Sequence, residues 1–380
     1  MYWGGGDLAT RASYVYVCDP RGKKVIAGSV RTEPEALKKA LRRFRGHGLS
    51  VAIEAGNQTS WVYDFLCELG AEVSVVNPTK VKPIAESRKK TDKIDAKILC
   101  DLLRLKALPP PVHMPSTGAR ELRSLLMARR KLVELRVRIY NTRRGMLRQE
   151  GKLLRSRALA SRRTWKGILA GSYRNASIRD VLKELHGVVD RLSVSIKSIE
   201  KRLTEYTAND ERVRLLRTIP GVGVISALTF VACVDEIERF SSSRKLISYA
   251  GLAPIVRQSG ERAQYGPINR EGRRELRWAW GQVAQRVAWY PDPRAKPLGL
   301  WFLRIARRRG KKTAIVALTR KLLTIAYHVV KYNEEYDPSR VFRAGLANKG
   351  FKAERVRRPE KRSESVRGIL VEVARTSTSP

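Results

Sequence analysis

The sequence predicts an α/β domain followed by an all-α region, and three observations carry that prediction. β-Branched runs alternate with helical patterns through residues 1–108. Long, very basic helical patterns fill the middle of the chain, and an apolar helix behind a Pro-Gly turn opens its last part. Alternation of this kind indicates a sheet covered by helices, whereas helices in succession indicate a bundle.

Taken in order, "SYVYVCD" (13–19) and "KVIAGSV" (24–30) flank the turn "PRGK" and predict a hairpin. Thr32 and Glu35 have the spacing of a capping box for the helix "EPEALKKALRRF". A strand "LSVAIEAG" (49–56), a helix "SWVYDFLCELG" (60–70) and a strand "AEVSVVN" (71–77) come next. A helix carrying Asp92 and Asp95 then stops before "PPP" (109–111). A hairpin followed by a βαβ unit predicts a mixed sheet.

Residues 118–150 predict one long basic helix. In 178–207, Leu182, Leu185, Val189, Leu192, Ile196, Ile199, Leu203 and Tyr206 step by three and four, which is a coiled-coil seam. The basic segment 152–177 between them is expected to be a loop at the tip of a helical arm. The arm serves as a spacer or dimerisation coil, with nucleic-acid contact along its basic face as the further possibility. After it, "TIPGVGVISALTFVACV" (218–234) has the Pro-Gly-x-Gly pattern of a helix–hairpin–helix turn. There Gly221 and Gly223 would let backbone N–H groups approach a phosphate, the alternative being an ordinary turn into a core helix. The expected parts are residues 1–110, an arm at 111–212, a helical C-terminal domain at 213–344, and a basic, disordered tail at 345–380.

Charge narrows the function. With 77 Lys+Arg against 36 Asp+Glu, the net charge is +41 and calls for a polyanionic partner. Nucleic acid leads and an anionic membrane surface follows. No membrane span is expected, because the best apolar run, 313–330, is broken by Arg320 and Lys321. The N-terminal "MYWGGGD" has neither the basic nor the apolar region of a secretion signal. Four cysteines without a CxxC pair and four scattered histidines argue against a zinc module or a disulfide framework, so a cytoplasmic setting is expected.

Against that background "KKTDKIDAKILCDLL" (89–103) is unusual, since it sets Asp92 and Asp95 among Lys89, Lys90, Lys93 and Lys97. Carboxylates three apart share a helix face and repel unless a cation lies between them. That cation is a neighbouring lysine or a divalent metal. Asp7 follows the short segment "YWGGG", and Glu54 ends its strand beside the small Ala55 and Gly56. Sites in open α/β sheets form at strand carboxyl ends, so Asp7, Glu54, Asp92 and Asp95 could meet at one edge. Four carboxylates suit Mg²⁺ or Mn²⁺, and the lysines would then bind phosphate.

An Asp in a first strand, a Glu ending a later strand and "KTDKIDA" entering a helix resemble the DEDD transposases of bacterial insertion sequences. "IPGVGVISA", "RKLISYAGLAP" (244–254) and "RQSGERAQYGPINREGRRELR" (257–277) are similar to that family's C-terminal transposase domain, in the same order. The resemblance implies a RuvC/ribonuclease-H-like N-terminal fold, metal binding by Asp7, Glu54, Asp92 and Asp95, and a catalytic Ser259. It also implies double-stranded donor and target DNA, a structured guide ("bridge") RNA, and a dimer or tetramer built through the coiled coil with active sites shared between subunits. The sequence departs from the family in its glycine-rich first strand and in "PINREG", where Asn269 replaces a hydroxyl residue and Arg270 keeps a positive charge.

Ser259 also has a case from its neighbours. Gly260 permits close backbone approach, Arg257 and Arg262 could grip a phosphate, and Arg270, Arg273 and Arg274 follow. The expectation is a DNA transposase/recombinase. Its rivals are a metal-dependent, resolvase-like nuclease and a non-enzymatic nucleic-acid-binding protein. The aromatics of "LRWAWGQVAQRVAWY" (276–290) could stack on bases, although Trp278 and Trp280 are expected partly in the core.

Overall fold

The β-branched runs form the first sheet of the molecule. A computed structural model describes residues 1–81, 91–153, 161–173, 176–208, 210–259, 262–289 and 292–341. Lys89, Lys90, Gly260 and the tail at 345–380 lie outside the described residues. The chain divides into two compact units, Met1–Leu203 with Ala232–Asp235, and Thr204–Val231 with Glu236–Pro380.

In the first unit, β1 (Tyr2–Asp7), β2 (Ala12–Cys18) and β3 (Lys24–Arg31) form an antiparallel meander. After α1 (Pro34–Leu41), β4 (Leu49–Glu54) pairs in parallel with β1. After α2 (Thr59–Glu68), β5 (Glu72–Val76) extends the parallel edge, giving the order β3-β2-β1-β4-β5. Strand alternation divides the core. Val15, Val17, Val51 and Ile53 pack with Leu37, Leu41, Val62 and Leu66 of α1 and α2. On the opposite face Tyr16 and Cys18 pack with Ala96 and Cys100, and Ala52 and Val76 with Leu99.

Those last partners lie on α4 (Asp92–Arg104), which follows the short α3 (Pro78–Val81). The glycine-rich β1 is what α4 rests on. A Cβ at Gly5 would fall 2.0 Å from the Ala96 carbonyl oxygen, so only glycine lets the helix lie so close. The expected capping box is not formed. Glu33 is the N-cap without a side-chain bond, because the Thr32 hydroxyl instead donates to the Ala9 carbonyl and pairs with Ser13.

The arm begins with α5 (Thr117–Gln149) and returns with α7 (Ala176–Ala208). The two run antiparallel: Arg129 pairs with Glu200 at 2.7 Å, Arg136 lies opposite Ser193, and Leu147 shares a cluster with Leu182. Leu182, Val189, Ile196 and Leu203, one per heptad, are buried within the single chain, while Leu185, Leu192, Ile199 and Tyr206 are half-buried. The segment expected as a tip loop contains a helix, α6 (Arg162–Ala170), started by Ser161 accepting from the Thr164 amide. Trp165 and Ile168, three apart, bury against Leu147 and Leu182; the surrounding basic residues hid that pattern.

In the second unit α8 (Glu211–Thr218) leads into the Pro-Gly turn and α9 (Val224–Val234). α10 (Ser243–Tyr249), the hairpin β6 (Pro254–Ser259) and β7 (Arg262–Ile268), and the helices α11 (Arg274–Trp289), α12 (Lys296–Arg309) and α13 (Lys311–Lys331) follow. By length and composition α13 is apolar enough to cross a membrane, despite Arg320 and Lys321. In the fold, its Leu318, Leu322, Leu323 and Ala326 are buried as the central helix of this unit.

Candidate active site and nucleic-acid interface

Two pairings set where the acids stand. Asp7 ends β1 and Glu54 ends β4, neighbouring parallel strands in which Gly6 is level with Ile53. α4 crosses the same strand in the opposite sense, with the Cys100 Sγ 3.2 Å from the Trp3 carbonyl and Ala96 over Gly5. Two residues of strand and four of helix cover nearly the same length, about 6–7 Å. Continuing that register carries the first turn of α4, with Asp92 and Asp95, toward Asp7. Asp7 and Glu54 thus end neighbouring strands at the carboxyl edge of the sheet, and carboxylates of this kind are the oxygen donors that suit a divalent cation. Among the described residues, no three acidic, His or Cys side chains close into a metal-binding group.

Local structure fixes these positions. Thr91 caps α4 by accepting from the Ile94 amide. As first-turn carboxylates, Asp92 and Asp95 also meet the positive end of the helix dipole, a stabilising role the sequence did not suggest. Behind Glu54, the Thr59 hydroxyl donates to the Glu54 carbonyl at 2.9 Å and accepts from the Gly56 amide at 2.6 Å. Asp92 and Lys93 are exposed, whereas Asp7, Glu54 and Asp95 are half-buried.

Ser259 is the last residue of β6. Its backbone pairs with Arg262, and Arg257 pairs with Gln264, because 254–259 and 262–268 zip into a hairpin. Positions 257, 259 and 262 are thus neighbours in the register at one end of the hairpin. Its other end is anchored rigidly: the Asn269 amide donates to the Ala253 carbonyl, and the Arg273 amide to the Tyr249 carbonyl. A Cβ at Gly272 would fall 2.3 Å from that Tyr249 oxygen. Arg273 Nε also donates to the Tyr249 hydroxyl. Arg270 takes a left-handed backbone, φ 57°. Arg277, which sequence reasoning missed, donates to the Ala250 carbonyl; burial, then the Arg270 and Arg274 charges, hold its pKa below the ordinary value. The three guanidiniums form one positive cluster.

At the Pro-Gly turn, Gly221 has φ 82°, and a Cβ there would crowd Val287 at 3.0 Å. The Gly223 amide donates to the Ser226 hydroxyl, so this N–H is already matched within the turn. In front of the turn is a cavity of about 560 Å³ lined by Arg217, Arg286 and Arg294 as well as Asp292. Those arginines lie far from the turn in sequence, apart from Arg217, and nothing in its pattern marked them. Trp280 is fully buried as expected, but Trp278 is 49% exposed and Trp289 59%.

A carboxylate-edged mixed sheet with the ribonuclease-H-like strand order, joined to a helical unit rich in arginine, defines a class of DNA-processing enzyme. Residues 5–151 match the DEDD transposase family model, and residues 213–298 match the transposase family IS116/IS110/IS902. The chain is 30% identical over 276 residues to the pilin gene-inverting protein of Moraxella bovis, covering 70% of this chain and 74% of that one. It is 27% identical over 289 residues to the transposase for insertion sequence element IS1111A of Coxiella burnetii, covering 75% and 79%. A probable family 20 transposase of Pseudomonas aeruginosa is 25% identical over 294 residues, covering 76% and 86%. The chain belongs to the IS110/IS116/IS902 family of insertion-sequence transposases, enzymes of DNA strand cleavage and transfer.

Proposed function

We propose that this transposase cuts and rejoins DNA through the Ser259 hydroxyl, with Asp7, Glu54, Asp92 and Asp95 serving as the ligands of a divalent cation. The observation that supports the carboxylate half is the seating of Ala96 on Gly5, which packs α4, with Asp92 and Asp95 in its first turn, on the strand that ends in Asp7. Bound there, Mg²⁺ or Mn²⁺ would orient and polarise a phosphodiester. The serine half is supported by the register that groups positions 257, 259 and 262. Ser259 Oγ bonds to phosphorus while the bond to the leaving sugar oxygen breaks, so the strand is held as a phosphoserine linkage. Attack by a sugar hydroxyl on that linkage rejoins the DNA and returns the serine. A relative named for inverting a gene supports rejoining over simple cutting, because an inversion requires both.

The remaining parts follow. Residues 1–110 are the RuvC-like domain, 111–212 a coiled-coil arm, 213–344 the domain bearing Ser259, and 345–380 a basic tail. Lys89, Lys90 and Lys93, the Pro-Gly turn at Gly221 and Gly223 (a helix–hairpin–helix-like element), and Arg257, Arg262, Arg270, Arg273 and Arg274 contact nucleic acid. The half-buried seam positions of α7 join copies into a dimer or tetramer whose active sites are shared. The +41 charge provides for a structured guide RNA as well as DNA. The setting is the bacterial cytoplasm, at the nucleoid.

The test is cleavage of the element's own junction DNA by wild type, Ser259→Ala and Asp95→Ala, with Mg²⁺ and with EDTA. Both variants should fold and bind DNA yet not cut, and EDTA should stop wild type. Cutting by Ser259→Ala would replace the recombinase with a water-activating nuclease, and cutting in EDTA would remove the cation.

A further inference from the structure

A second cavity adjoins the one at the Pro-Gly turn, and the same side chain lines both. This groove, of about 390 Å³, is formed along the outer face of α11 by Gln282, Gln285, Arg286 and Trp289. Residues three, four and seven apart on a helix share one face, so these four form a continuous strip. Trp289 is 59% exposed but not loose: its ring meets Phe302 edge-on, with centroids 6.3 Å apart, and Lys311 Nζ lies 5.4 Å from its centre. A held, exposed indole offers a flat stacking surface. Each glutamine amide presents a donor and an acceptor together, the pattern that matches a base edge. Among the described residues, no carboxylate lines this groove. Among the described residues, the adjoining cavity has Arg217, Arg286 and Arg294 against Asp292, which pairs with Arg294 at 3.1 Å.

We propose that the α11 groove is a pocket for an unpaired DNA base, stacked on Trp289 and hydrogen-bonded by Gln282 and Gln285. Its backbone phosphate lies in the Pro-Gly cavity and Arg286 sits between the two. This rests on the phosphate-contacting role given above to the Pro-Gly turn. A paired base shows only its edges, whereas stacking on Trp289 requires an open face, which an unpaired base supplies. DNA is the source, because the enzyme's own strand cleavage and transfer leaves bases unpaired where strands exchange.

The full-length chain is titrated with a DNA duplex carrying one unpaired 2-aminopurine and with its fully paired counterpart. Wild type should quench the 2-aminopurine fluorescence. Trp289→Ala should abolish the quench and weaken binding of the unpaired-base DNA by about tenfold, leaving the paired duplex unchanged. Trp289→Phe should restore most of both. Equal weakening on the two DNAs, or no quench with wild type, overturns the pocket. Arg217→Ala should weaken both DNAs alike. If it affects neither while Trp289→Ala stays selective, the phosphate role of the turn falls and the base pocket is supported. A larger selective loss on the same probe made as RNA overturns the choice of DNA.

Discussion

Gly5 on β1 lies directly under Ala96 on α4, and a Cβ there would stand 2.0 Å from the Ala96 carbonyl oxygen and 2.6 Å from the Cys100 amide nitrogen. Both obstacles are backbone, so neither can rotate away. Gly5→Ala must therefore lift the helix that carries Asp92 and Asp95. Overpacking of this kind costs about 1–3 kcal/mol. The expected result is a fall in melting temperature together with loss of cleavage, checked by thermal denaturation and a strand-cutting assay. Full activity in Gly5→Ala would show that α4 need not be held there.

A second relationship ties α5 into its unit. The Asp235 carboxylate accepts from the Ser116 amide at 2.8 Å, the Ser116 hydroxyl at 2.7 Å and His113 Nε2 at 3.1 Å. Burial pushes the Asp235 carboxyl up, but the Ser116 hydrogen bonds and then His113 outweigh it and hold the pKa below its ordinary 3.8. A depressed folded-state pKa gives stability that is present above the unfolded value and lost as pH falls through the folded one. Asp235→Asn, which keeps a residue tolerant of the left-handed backbone at φ 60°, should cost about 1–3 kcal/mol at neutral pH. It should also flatten the loss of stability below about pH 4. Acid unfolding curves followed by circular dichroism check both.

The sheet was legible because each strand is a short β-branched run with clear turns, and the acids could be placed because strand ends are readable from those runs. β1 was the exception. Its three glycines look like a poor strand, and their purpose appears only when α4 is seen lying on them. The α6 helix was hidden in the same way, since Trp165 and Ile168 find their partners on helices distant in sequence. Arg277, Arg286 and Arg294 were missed because an arginine-rich chain gives no local sign of which guanidiniums the fold will gather.

The seam of α7 separates two effects. Ile196 is buried against its own chain, so Ile196→Lys should unfold the arm, an unpaired buried charge being worth several kcal/mol. Leu192 is only half-buried, so Leu192→Lys should leave the melting temperature nearly unchanged while dissociating the proposed oligomer. Light scattering beside thermal denaturation decides it. An unaltered mass for Leu192→Lys would mean that the seam serves one chain alone.

Binding to DNA should be steeply dependent on salt. If the basic surfaces neutralise about ten phosphates, affinity should fall by about 10³–10⁵ between 50 and 200 mM salt. Arg217→Ala should reduce the slope by about one. A flat titration would show that the +41 charge is not directed at nucleic acid.

The central claim is that Ser259 becomes joined to DNA, and the most direct measurement is to trap that bond. Wild-type protein, Mg²⁺ and junction DNA carrying a phosphorothiolate at the cleaved bond should accumulate a protein–DNA adduct that survives boiling in detergent. Mass spectrometry of the digested adduct should place the nucleotide on the peptide containing Ser259, and Ser259→Ala should yield none. Cleaved DNA without an adduct, or an adduct on another residue, would contradict the account.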